Sequence, residues 1–392
     1  MRCIPCKGRG WCGRPVCPIL RRLETAATLP RIGIMVEGLS PPEVFVGRHG
    51  YPMVCAGPVV PLMPAAEEPQ QLSLSMDLGE IISLRASSIR SEARVGVMEA
   101  KSPGKLLRSF QEIAMSSTPV GTEVSFLKPP KPNLSFDSVA APLGPSGEIK
   151  SLGITTNPSV PKKVDEAVEE GAGASVAIGE LYSAGVGVAH ISRLLSLGLL
   201  GKERKIVPTR WSITASDDIL GKAMAISLAD APLIGDYLLY SGEGLGNRFK
   251  ILLTPRPYSF ELVEIWMPGS AWAPDGWIGY DGEGLEGKKG YSPLAGGYYA
   301  SRLAVLEYLA REGRQAGILA IREISRSYWA PLGVWVVREA ARQAMANRPC
   351  KFDSLQVALA EMEKGILTPS NEWLPKASLM TQPVQKSLSE FF

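Results

Sequence analysis

The sequence predicts an α+β fold: a mixed core with an antiparallel sheet and packed helices, flanked by a small N-terminal zinc-knuckle-like module and a flexible C-terminal tail. Three observations predict it. Residues 233–267 alternate as a strand meander, whereas residues 102–115, 297–311, 333–346 and 353–364 read as helices. Apolar residues make up 45% of the 392 positions, ample for a sizeable core. Four of the six cysteines crowd into the first 17 residues, and Pro369, Pro375 and Pro383 interrupt the other end.

The head, residues 1–22, carries Cys3, Cys6, Cys12 and Cys17 in the spacing C-x2-C-x5-C-x4-C. Four thiolates complete the tetrahedral shell of a structural zinc ion and leave no position open for chemistry. An iron–sulfur cluster is the rival, since Cys17-Pro18 resembles the end of a ferredoxin run, although the gaps do not fit that motif. Disulfides need an oxidising compartment. The basic start has no apolar signal-peptide core, which predicts a cytoplasmic protein. Cys55 and Cys350 read as small apolar residues.

Charge singles out the same module. The chain is +3 overall, yet Arg2, Lys7, Arg9, Arg14, Arg21 and Arg22 fall among the first 22 residues with no acid between them. Subtracting those six cations from +3 leaves the remaining residues at −3. Lys7, Arg9 and Arg14 on a rigid knuckle suit phosphate contacts, and so DNA. Trp11 either stacks on an exposed base or caps the module's small core. No apolar run approaches membrane-spanning length, so no membrane partner is expected.

The core spans residues 23–365. Val44-Phe-Val46 running into Gly47, Arg48, His49 and Gly50 reads as a strand entering a tight turn. Arg48 and His49 are candidate site residues, since arginine grips anions and histidine exchanges protons; a purely structural turn is the competing reading. Residues 129–152, rich in Pro, Gly and Ser, mark a possible junction. Residues 177–214 read as helix, Gly turn, helix and basic strand pair, the order of a winged helix. That reading turns His190, Ser192 and Arg193 toward DNA and puts Lys202, Arg204 and Lys205 on the wing; ordinary helix–strand packing gives the same pattern. Asp217 and Asp218 read as helix-start acids in preference to Mg²⁺ ligands. Gly282 to Gly287 matches G-x-G-x-x-G formally, but no long apolar strand precedes it and Glu283 and Glu286 would repel a pyrophosphate.

The tail, residues 366–392, ends in Gln385, Leu388, Phe391 and Phe392 at the spacing Gln-x-x-aliphatic-x-x-aromatic-aromatic. One helical turn over residues 388–391 places the three apolar side chains on one side, with Gln385 free to reach a separate notch. This pattern, residues 385–392, resembles the clamp-binding peptide of proteins recruited to the DNA sliding clamp, PCNA.

A four-Cys head and such a tail around one long core resemble the archaeal NreA family of DNA repair proteins. Residues 44–52, the following Ala56-Gly57-Pro58, and Pro208-Thr-Arg210-Trp211-Ser-Ile-Thr214 extend the likeness into the core. The resemblance implies repair of damaged DNA, a zinc-finger-like head and recruitment by the clamp, without naming a reaction. Separately, His190, Arg210 and a later Glu261 or Glu264 loosely resemble ADP-ribosyltransferases of the DarT type, which would make NAD a cofactor.

Overall fold

The computed structural model describes residues 6, 9–11, 16–17, 20, 24, 32–62, 72–131, 144–271, 273 and 275–377. The chain divides into two compact units, one ending at Leu220 and the next starting at Gly221. Each holds a six-stranded sheet that is antiparallel except for one parallel pair. The α+β class read from the sequence is therefore correct.

In the N-terminal unit, strands β1 (Met35–Ser40), β2 (Val44–Val46), β3 (Met53–Pro61), β4 (Ser88–Gly96), β5 (Val120–Phe126) and β6 (Ser146–Ile154) pair in the order β1-β5-β6-β4-β3-β2. The parallel pair is β4–β6, with Arg90 opposite Ser146. Residues 129–131 and 144–152, part of the stretch read as a junction, belong to this unit, where β6 adds to both β5 and β4. Its helices are α1 (Leu78–Ala86), α2 (Lys105–Met115), α3 (Lys162–Glu170), α4 (Ala174–Ser183) and α5 (Val188–Ser196). Helix α2 turns Leu107, Phe110, Ile113 and Ala114 inward, all fully or nearly fully buried, the i, i+3, i+4 spacing of an amphipathic helix. Burying Phe110 alone contributes about 1.5–3 kcal/mol.

The strand pair expected over residues 202–213 is absent. Residues 201–208 form a loop, and helix α6 (Thr209–Ser227) follows directly. Its first turn hangs on Pro208, whose carbonyl accepts from the N–H groups of Trp211 at 2.8 Å and Ser212 at 3.0 Å. The Thr, Trp and Ile in this stretch suggested strand, but β-propensity is a weak prior that tertiary context overrides. Asp217 and Asp218 accordingly lie in mid-helix, not at a helix start.

In the C-terminal unit, β7 (Tyr237–Gly244), β8 (Asn247–Thr254), β9 (Ser259–Trp266), β10 (Trp277–Gly284), β11 (Gly317–Ile324) and β12 (Cys350–Phe352) pair in the order β10-β9-β11-β8-β7-β12. The meander read from the sequence is β7, β8 and β9. Between the last strands come α7 (Gly296–Glu312) and α8 (Trp335–Ala346), then α9 (Leu355–Lys364) and α10 (Ser370–Trp373). Because strand side chains alternate, the sheet has two apolar faces. Helices α7 and α8 contact one set of strands, and α9 closes the opposite face through Leu239, Leu252, Val263, Leu319, Ala358 and Met362.

The tail begins later than residue 366. Ile366, Trp373 and Ala377 are buried in that second core. Glu323 anchors the segment, accepting from the Leu367 N–H at 3.1 Å, the Thr368 N–H at 2.8 Å and the Thr368 hydroxyl at 2.9 Å. Pro369 and Pro375 start short helices here instead of releasing the chain, in keeping with proline's tolerance of a first helical turn. Residues 378–392, with the whole clamp-like peptide, lie outside the described residues. No described helix is long and apolar enough to cross a membrane.

Candidate functional site: an exposed aromatic and cationic junction

Two stretches far apart in sequence meet in the N-terminal unit. Strand β2 leads into the Gly47–Pro52 turn, whose Tyr51-Pro52 bond is cis. The turn is fixed at three points: Gly47 N–H donates to the Cys55 carbonyl at 2.8 Å, Met53 N–H to Gly50 at 2.9 Å, and Val97 N–H to Pro52 at 3.0 Å. Gly50 has φ +81, and a Cβ there would lie 2.7 Å from the Met53 carbonyl, so glycine is required. Behind the turn, Arg90 lies 3.9 Å over the Phe45 ring and pairs with Glu92 at 3.2 Å. Burial holds the Arg90 pKa below its usual value, with Glu92 opposing.

The second stretch is the start of α6. After α5 the chain doubles back: Val207 N–H donates to the Ser196 carbonyl at 2.8 Å, and the Ser196 hydroxyl to the Val207 carbonyl at 2.7 Å. Ile206 N–H donates to Val97 at 2.9 Å. Thr209 then accepts the Val46 N–H on its hydroxyl at 2.8 Å, joining α6 to β2. Trp211 meets Tyr51 with ring centroids 5.5 Å apart and planes inclined by 52°. Both rings remain about half exposed, at 46% and 51%. His49 and Arg210 are exposed beside them, and Arg48 is half-buried. Lys205 interacts electrostatically with Tyr51 and is paired with Glu203, which raises the Lys205 pKa.

The other candidate histidine is elsewhere in function. His190 and Arg193, read as facing DNA, are turned onto the C-terminal end of α2. Arg193 donates to the carbonyls of Ala114 and Ser116, both at 2.8 Å, a cation capping exposed helix carbonyls. Burial lowers the Arg193 pKa to about 10, with Glu43 opposing. Burial, then the Arg193 charge, lowers His190 to about 4, and its buried Nε2 lacks a hydrogen-bond partner. Ser192 is buried as well. A recognition helix would present these side chains to solvent; packing against α2 buries them instead.

Of the head, Cys6 is buried and its carbonyl accepts the Arg9 N–H at 2.9 Å. Cys17 is half-buried, and neither residue is in a disulfide. Trp11 is 53% exposed. Cys3, Lys7, Cys12 and Arg14 lie outside the described residues, as do Gln385, Leu388, Phe391 and Phe392.

The C-terminal unit holds a row of paired charges, of which the sequence reading named Glu264 and Glu283 but not their partners Arg302 and Arg322. On the α7 side of the sheet, Arg302 grips both Glu283 oxygens at 2.8 and 2.9 Å, and Glu283 also accepts the Tyr258 hydroxyl at 3.1 Å. Arg322 donates to Glu264 at 2.6 Å and to Asn247 Oδ1 at 3.0 Å through its Nε. Asp281 pairs with Lys288 at 2.6 Å. A Cβ on Gly297, at the start of α7, would lie 2.6 Å from Glu264 Oε1, so the carboxylate sits directly on that helix's N-terminal turn. There it meets the positive end of the helix dipole. Glu261, the other carboxylate of the NAD reading, accepts the Tyr280 hydroxyl at 3.0 Å. The available signal was a pair of charges inside the apolar run Ile318-Leu-Ala-Ile-Arg322-Glu323-Ile324.

Comparison with known proteins divides the chain at a different place, between residues 273 and 283, so that strands β7 to β9 fall in the N-terminal match. Residues 11–273 match the archaeal Nre N-terminal family profile and residues 283–391 the archaeal Nre C-terminal profile. The chain belongs to the archaeal Nre family. It is 39% identical to the DNA repair protein NreA of Archaeoglobus fulgidus, across 100% of this chain and 99% of that one. Identity to the DNA repair protein NreB of the same organism is 37%, with both chains covered in full. The DNA repair protein NreA of Haloferax volcanii is 35% identical over 89% of this chain and 87% of its own. No solved structure matches the chain. Within the Nre family profiles, the C-terminal match runs through residue 391 and so takes in most of the clamp-like peptide, whereas the N-terminal match starts after Cys3 and Cys6.

Proposed function

We propose that this protein is a DNA repair factor brought to DNA by the PCNA sliding clamp, which its residues 385–392 bind. The observation that carries the reading is the spacing of Gln385, Leu388, Phe391 and Phe392, three apolar side chains that one helical turn gathers into a plug. Full-length similarity to relatives named DNA repair proteins supports the repair role. Clamp tethering raises the local concentration of DNA enough to make individually weak contacts useful.

Cys3, Cys6, Cys12 and Cys17 would hold a zinc ion, which supplies structure and no chemistry when all four positions are thiolate. Lys7, Arg9, Arg14 and Trp11 are then the head's DNA-contacting residues. Metal analysis of purified protein should find one zinc per chain, lost in Cys12→Ala; a brown, iron-containing protein would replace zinc with an iron–sulfur cluster.

The clamp reading is tested by titrating PCNA into the full chain and into Leu388→Ala and Phe391→Ala. Binding is expected to disappear in both variants with unchanged thermal unfolding. Equal binding by a chain ended at Ser387 would overturn it.

A further inference from the structure

Solvent exposure of two large aromatic rings in mutual contact is unusual, because each ring ordinarily contributes to stability by burial. Tyr51 and Trp211 are each about half exposed, and each is held on a stiff support. The turn under Tyr51 is closed by three backbone hydrogen bonds, and Trp211 sits in the first turn of α6, itself tied to β2 through Thr209. The 52° inclination means that the rings do not cover one another's faces. By contrast, Tyr291 leans on a partner, Tyr299, that is only 4% exposed, a normal surface-to-core contact.

Polar and cationic groups adjoin the pair: His49 and Arg210 are exposed, two residues before Tyr51 and one before Trp211, and Lys205, paired with Glu203, interacts electrostatically with Tyr51. An aromatic face with cations at its edge matches the chemistry of an unpaired nucleotide, which offers a π-surface and a phosphate.

We propose that the Tyr51–Trp211 pair is a stacking platform for an unpaired base of DNA, with Arg210, His49 and Lys205 at the adjoining phosphates. This rests on the DNA repair reading above and adds to it where the strand is held. An unpaired base is what a distorted or single-stranded lesion presents, whereas an intact duplex keeps its base faces stacked, so the platform distinguishes the two without reading sequence. Binding energy from stacking is tolerant of base identity, since every base has such a face.

The test is fluorescence anisotropy of the full-length protein with labelled single-stranded and duplex DNA, at two salt concentrations. Tyr51→Ala and Trp211→Ala are each expected to weaken single-strand binding about tenfold, with the salt dependence unchanged, and Trp211→Phe to stay within about threefold of wild type. Arg210→Gln should instead flatten the salt dependence by about one phosphate contact. Thermal unfolding identifies any variant that fails to fold, and the two alanine variants report independently. Wild-type binding with no loss in either folded alanine variant overturns the platform alone. Absence of binding to any DNA by the wild type overturns DNA contact and the platform with it. Tighter binding to a single-stranded RNA of the same sequence overturns the assignment to DNA.

Discussion

The two units use the same residue types in opposite ways. In the C-terminal unit Arg322, Glu283 and Glu264 of the sheet and Arg302 of α7 are buried, each charge matched by an opposite one within 2.9 Å. In the N-terminal unit Arg210, His49, Tyr51 and Trp211 stand in solvent around a stiff turn. Burial is what separates them. A charge removed from water must be paired, so it becomes part of the framework; one left in water retains its capacity to bind something else.

That contrast breaks most readily at Arg302. Arg302→Met strands the Glu283 carboxylate in the core and is expected to lower unfolding free energy by about 3–5 kcal/mol in a denaturant titration. Pairing it with Glu283→Leu should recover much of the loss, because no buried charge is then left alone. A single variant as stable as wild type would mean that the row is not a dry ion pair. Gly297→Ala is the next largest effect. Its methyl group must displace Glu264 from the start of α7 and from Arg322, for about 1–3 kcal/mol on the same measurement.

His190 extends the comparison into the N-terminal unit, where it is the half-buried histidine and His49 the exposed one. With its folded pKa held at about 4, the unfolded chain takes up a proton on this ring before the folded chain does. Stability is therefore fully present above about pH 6.5, the ordinary histidine value, and declines as pH falls from there toward 4. Because the ring is only partly buried, the loss should be about 1 kcal/mol after screening. Melting curves across that window should lose this component in His190→Gln. Smallest of all is Trp211→Ala, expected to change stability by less than about 1 kcal/mol while weakening DNA binding, since about half of the ring already faces solvent. A large destabilisation there would move the aromatic pair into the framework class.

Much of the fold was legible. The meander of β7 to β9 and helices α2, α7, α8 and α9 follow from local periodicity over lengths that allow one interpretation. The stretch after Pro208 was not legible, because Thr, Trp and Ile suggest strand while the helix is set by the tie of Thr209 to β2 and by the later turns of α6. Nor was the start of the tail: Pro369 and Pro375 look like breaks until Glu323, more than forty residues earlier, is seen to accept the hydrogen bonds of Leu367 and Thr368. His190 attracted attention through the helix, turn, helix order of a winged helix, yet that order carries no information about which way a ring faces.

By itself the sequence determined the α+β class, the meander of β7 to β9, helices α2, α7, α8 and α9, the cysteine spacing of the head and the spacing of the final apolar residues. These are local patterns, written within a few turns of chain. Tertiary structure alone decided that Tyr51 meets Trp211, that Arg302 meets Glu283, and that Arg193 caps α2. Such pairs join residues from 19 to 160 positions apart. Their contact is imposed by sheet order and helix docking, for which no local periodicity codes.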